Sequence, residues 1–78
     1  MMTEPHYHIN LFWSEEDSLW IADVPDLRGC MTHGVTRAEA IKNASEAIEG
    51  WIETAREAGL EVPEPRYRPA IYATSRAA

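Results

Sequence analysis

Cysteine and basic charge are both scarce in this 78-residue chain. Its one thiol, Cys30, cannot make an internal disulfide, and no cluster of metal ligands accompanies it. Seven Lys and Arg stand against 13 Asp and Glu, a net charge of −6. Residues 1–58 hold 4 basic and 11 acidic side chains, whereas residues 59–78 hold 3 and 2. Such an acidic body repels a phosphate backbone and makes a poor stand-alone nucleic-acid binder. It suits a basic protein partner better. Nothing approaches the roughly 18 consecutive apolar residues of a membrane span, and no leader with a basic start and apolar core opens the chain. The expected location is therefore cytoplasmic, with no membrane association. A Gly-rich phosphate loop, G-x-S-x-G and paired C-x-x-C are missing too.

What is present is enough for one packed domain: 45% hydrophobic residues, including three tryptophans. A domain this small buries only about 60% of its unfolded surface, so disulfides, a metal or self-association usually support it. With the first two lacking, a homo-oligomer is the expected remedy.

Residues 6–13, HYHINLFW, alternate with period two and read as a strand. Tyr7, Ile9, Leu11 and Trp13 share one face, and His6, His8, Asn10 and Phe12 the other. The polar SEEDS segment, residues 14–18, makes a hairpin loop. A second strand follows over residues 19–24, apolar on both sides. Pro25 and Asp26 break it, Gly29 lets the chain double back, and residues 30–33 form a third, short strand ended by Gly34. Sequential strands with short connections predict an antiparallel meander.

One amphipathic helix is predicted over residues 37–58. Thr36 and Glu39 are spaced as a capping box, and Gly59 stands where a left-handed C-cap residue is wanted. Ile41, Ala44, Ile48, Trp51, Ile52 and Ala55 form its apolar stripe, with Glu46, Glu49, Glu53 and Glu57 as an acidic ridge elsewhere on its surface. Gly50, costly inside a helix by about 1 kcal/mol relative to Ala, is expected to permit a close approach by the sheet. Beyond Gly59, Leu60 and Val62 are expected to fold back on the helix end. Residues 63–69, PEPRYRP, are too proline-rich for helix, and residues 70–74 offer a further edge strand. The fold class is thus α+β: a three-stranded antiparallel meander covered by one long helix, with a possible fourth β element. Residues 1–66 make the domain and residues 67–78 a C-terminal tail.

One helix covers one face of a sheet, so the other face meets solvent or another protein. Trp20, Phe12 and Trp13 are spread over both faces. Glu46, Glu49, Glu53, Trp20 and Phe12 are accordingly the candidate contact residues. Evidence for reactive chemistry is thinner. His6 and His8 share a strand face, but two ligands make no structural zinc site. Cys30 reads as a buried structural thiol, with only His33 as a conceivable activator. Asp17, Asp23, Asp26 and the helix glutamates match no carboxylate motif for metal-assisted hydrolysis and read as turn and surface charge. No catalytic residue, metal or cofactor is expected, and the chain is not expected to be an enzyme.

The run from Trp20 to Cys30, WIADVPDLRGC, continues as MTHGVTRAEAIKNASEAI. Together they resemble the N-terminal domain of the HicB family of antitoxins. That family shows an aromatic-x-Ala-x-apolar-Pro-Asp-Leu-x-Gly-Cys element, then Thr/Ser-x-x-Glu-Ala and a helix of the E-A-L-x-N-A-x-E-A-L type. Pro25, Asp26, Gly29, Cys30, Thr36 and Glu39 carry the structural part of the likeness. Asn43 stands where a hydrogen bond near the turn is in reach, and residues 63–65 are similar to the signature that closes the domain. The resemblance covers about residues 6–66. It implies a partial ribonuclease-H-like fold and, as partner, HicA, a small basic mRNA-cleaving toxin whose RNA surface the antitoxin covers. Many relatives add a C-terminal operator-binding domain. The sequence here stops at Ala78, so DNA binding is not carried over. The alternative is an orphan homo-oligomeric binding or scaffold protein without a toxin.

Overall fold

The computed structural model describes residues 5–67. Three strands, β1 (Asn10–Ser14), β2 (Leu19–Asp23) and β3 (Met31–Gly34), precede one helix, α1 (Arg37–Glu57). The strands form an antiparallel sheet in the order β1-β2-β3, so the α+β meander expected from the sequence is the fold observed. The expected fourth element at residues 70–74 lies outside the described residues.

The first hairpin closes symmetrically about residues 15–18: Ser14 pairs with Leu19, Trp13 with Trp20 and Leu11 with Ala22. Ser18 turns the loop with φ of 53°, and Ser14 Oγ accepts from the Asp17 backbone N–H at 3.3 Å. Strand β1 starts later than the alternation predicts, at Asn10 rather than His6. Its partner explains this, because Asn10 pairs with Asp23 and the chain then leaves the sheet at the Val24–Pro25 turn. Residues 6–9 have no strand opposite them. Cys30, expected in β3, belongs to the turn instead: its N–H donates to Leu27 O at 3.0 Å, and its carbonyl accepts from Val24 N–H at 3.0 Å.

Period two decides which side chains meet the helix. Ile9, Leu11, Trp20 and Ala22 face it, with Ala22 packed on Ala40 and Ala44. The alanines let helix and sheet approach closely. A second cluster, Val24, Leu27, Cys30 and Ile48, fills the space beneath the 24–30 turn, flanked by Tyr7, Trp51 and Ile52. Trp51 belongs half to the core and half to the turn, since its indole N–H donates to Arg28 O at 3.0 Å.

Both helix ends follow the sequence signals. Thr36 is the N-cap, its hydroxyl accepting from Glu39 N–H at 3.1 Å. The Glu39 carboxylate reaches back one residue further than a standard capping box, to Val35 N–H at 3.1 Å. At the other end Gly59, with φ of 73°, closes a Schellman motif: Gly59 N–H donates to Arg56 O and Leu60 N–H to Ala55 O. Leu60 nevertheless keeps its side chain exposed rather than folding back, while Val62 is half-buried.

Gly50 does not admit the sheet. A Cβ there would meet nothing within 4 Å, because the residue lies on the exposed side of the helix. The close approach occurs at Gly34, where a Cβ would stand 2.5 Å from Ala40 N and 2.9 Å from Glu39 C. After the helix, Asp26 holds the returning chain: its Oδ2 accepts from the backbone N–H of Arg66 at 3.0 Å and of Tyr67 at 3.1 Å. The Tyr7 hydroxyl donates to Pro63 O, and the His8 and Tyr67 rings lie 4.6 Å apart.

Candidate functional site

Three surfaces compete as sites. The first is the sheet face turned away from the helix. The register lines up Phe12, Ile21 and His33 across its middle, and Asn10, Asp23 and Met31 across one end. Ser14 and Leu19 close the other end. Phe12 is 47% exposed and Met31 60%, an apolar exposure that an isolated small domain has no structural reason to keep.

The second surface is the outer side of α1. Glu46, Glu49, Glu53 and Glu57 recur at steps of three and four residues, opposite the buried positions Ala40, Ala44, Ile48 and Ala55. All four are exposed. Like charges at this spacing cost a helix roughly 0.2–0.5 kcal/mol per pair. Among the described residues the ion pair within 4 Å is Arg66–Glu64, at 3.8 Å, and it lies off the ridge. A basic partner would relieve this repulsion. Glu15, Glu16 and Asp17 in the first hairpin loop add an exposed acidic tip.

The third surface, at the helix N-terminus, escaped the sequence reading as a unit. The Arg37 guanidinium carbon lies 4.3 Å over the Trp20 ring, and Trp13 meets Trp20 edge-on with centroids 5.5 Å apart. Arg37 is the first helical residue, where the helix dipole disfavours a cation. Stacking on Trp20 compensates by about 0.5–1 kcal/mol. The hairpin symmetry already pairs residues 13 and 20, so half of this cluster was readable. The candidate contact residues therefore separate: Phe12 on the open face, Trp20 beside the helix start, and Glu46, Glu49 and Glu53 on the outer helix.

The family model of the HicB-like antitoxin of bacterial toxin-antitoxin systems matches residues 7–74. The chain belongs to the HicB-like antitoxin family. It is also 39% identical over 49 residues to a UPF0150 protein, Ta0767, of Thermoplasma acidophilum, a match covering 63% of this chain and 71% of the relative. No solved structure matches. Membership in an antitoxin family points to a binding role in a toxin-antitoxin pair rather than to catalysis.

In this HicB-like domain the shared motif residues hold geometry. Asp26 clamps the chain at residues 66–67, Gly29 takes φ of 76°, and Asn43 Nδ2 donates to His33 O at 2.8 Å. His33 is exposed on the open sheet face, whereas Cys30 is buried under the helix. His8 Nε2 lies 2.7 Å from Asn10 Oδ1. Among the described residues no three His, Cys, Asp or Glu gather into a metal-binding group. No helix there is long and apolar enough to cross a membrane.

Two core groups of the HicB-like domain respond to pH. Burial pushes the Cys30 thiol above its ordinary value, helped by the Asp23 carboxylate. Burial likewise raises the Tyr7 phenol, with Asp26 adding to the rise and Arg56 opposing it. Both groups hold their protons more tightly folded than unfolded. Their contribution to stability is thus complete below the unfolded values, about 8.5 for Cys and 10 for Tyr, and is lost as pH rises through the raised ones. Urea midpoints are expected to stay level in this respect near neutrality and to fall progressively above about pH 9. In Cys30→Ala the first part of that fall should vanish. A midpoint that rises between about pH 9 and 11 would contradict the assignment.

Proposed function

We propose that this chain is an antitoxin that binds and neutralises a small basic mRNA-cleaving toxin of the HicA type by covering its RNA surface. The observation that carries the reading is the ridge of Glu46, Glu49 and Glu53, exposed and without an ion-pair partner among the described residues. A protein surface built to hold RNA phosphates is basic. An exposed row of carboxylates occupies the same positive potential, speeds the encounter, and displaces the nucleic acid by competition. Glu15, Glu16 and Asp17 extend the acidic field at the hairpin tip. No chemistry by the antitoxin is needed, only occupancy.

The test uses the small basic protein encoded beside this chain. Co-expression should relieve its growth arrest, and the two should copurify. The triple change Glu46→Lys, Glu49→Lys and Glu53→Lys is expected to weaken binding by about 100-fold, as three pairs of about 1 kcal/mol each would. It should also flatten the salt dependence of association. Unchanged affinity in the triple variant would remove the ridge from the interface. Failure of the neighbour's product to bind at all would leave the orphan scaffold as the better reading.

A further inference from the structure

We infer that the open sheet face is where two copies of this chain meet, so that self-association and toxin binding use different sides of the domain. The inference goes beyond the antitoxin reading and rests on how charge is divided over the surface. The chain carries a net charge of −6, and a two-fold contact sets each patch against its own copy. Such a chain associates with itself only through a patch that holds little of that charge. The open face is such a patch: Phe12, Leu19, Ile21 and Met31 are its apolar members, and Asp23 at one end is its one carboxylate. The other described carboxylates lie on the helix, the hairpin loop, the 24–30 turn and the returning chain. A basic partner gains little from this face, and a second copy meets little repulsion.

Geometry removes the remaining conflict. A two-fold axis through Ile21, between the sheets and perpendicular to the strands, sets the Asp23 end of one copy against the Ser14–Leu19 end of the other. The two carboxylates are then kept apart. Packed sheets stand about 10 Å apart, which lets Phe12 and Met31 interdigitate across the gap. Three strands of about five residues present roughly 14 by 17 Å, well short of the ~800 Å² per partner of a standard interface. The pairing is accordingly weak and concentration-dependent, with a dissociation constant in the micromolar range.

Sedimentation of the pure chain between about 1 and 500 µM tests this. The expected result is a monomer–dimer equilibrium that Phe12→Lys with Met31→Lys weakens at least tenfold, while the triple ridge variant dimerises as the original does. Both substituted residues are exposed, so a folded variant is expected, and circular dichroism checks it. Should the variant unfold, dilution of the original chain followed by methyl NMR decides: Ile21 and Met31 signals shift with concentration and buried Ile48 does not. A chain that stays monomeric throughout, or a folded double-lysine variant that dimerises normally, overturns the inference. So does a monomer whose Ile21 and Met31 signals move only when toxin is added, which would give the face to the toxin.

Discussion

Gly34→Ala is expected to cost this domain about 3 kcal/mol or more, enough to leave it largely unfolded near physiological temperature. The loss comes from space, not from backbone freedom, because positive φ occurs at Gly29 and Gly59 and not here. A methyl group at position 34 would stand 2.5 Å from Ala40 N and 2.9 Å from both Glu39 C and Glu39 Cβ. Two of these three neighbours are backbone atoms in the first turn of α1, pinned by Thr36 and by the Ala40 N–H bond to Thr36 O. Relief would require the helix start to lift from β3, which exposes Ala40 and Ala44 and breaks the Thr32 hydroxyl bond to Ala40 O. A domain of this length has roughly 4–12 kcal/mol in hand, so the change consumes much of it. Gly50→Ala serves as the control in the same denaturation series. With open space at that site, alanine should stabilise the helix by up to about 1 kcal/mol. Equal midpoints for the two variants would show that the helix–strand contact at Gly34 is looser than described.

That contrast marks where sequence reasoning stopped. Period-two alternation in residues 9–13 and 19–23 gave the correct faces, and symmetry about the polar loop sufficed for the register. Thr36, Glu39 and Gly59 marked the helix ends, because capping is local chemistry between residues a few positions apart. Gly34 and Gly50 look alike at that range. Only the crossing of α1 over β3 decides which one faces backbone, and that crossing is a tertiary fact. Asp26 shows the same limit: the turn at residues 24–30 was readable, but the two N–H groups it binds come 40 and 41 residues later. The candidate contact residues suffered most. Alternation placed Phe12 and Trp20 on opposite sides of the sheet without saying which side the helix takes. Trp20 proves to lie under Arg37, and Phe12 is left in the open.

Leu27→Ala is expected to destabilise the domain by about 3 kcal/mol, within the ~2–5 kcal/mol range of buried Leu truncations. Leu27 is 1% exposed and, with Val24, is among the largest fully buried side chains of the described residues. It occupies the third position of the Pro-Asp-Leu-x-Gly-Cys element, which suggests a contact loop when met in a sequence. In the fold its side chain points inward, onto Val24, Cys30 and Ile48. Its backbone accepts from Cys30 N–H and donates to Val24 O, both within 3.1 Å, so the turn cannot easily collapse to fill the vacancy. The melting temperature should fall by about 15 °C. Leu27→Met, which keeps the volume, should lose less than about 1.5 kcal/mol. If the motif instead formed the toxin contact, Leu27→Ala would weaken binding at temperatures where the variant is still folded. The fold argues for the opposite result: affinity per folded molecule unchanged, and less folded molecule to bind. Titrating toxin at about 10 °C, against the folded fraction measured by fluorescence of the three tryptophans, separates the two.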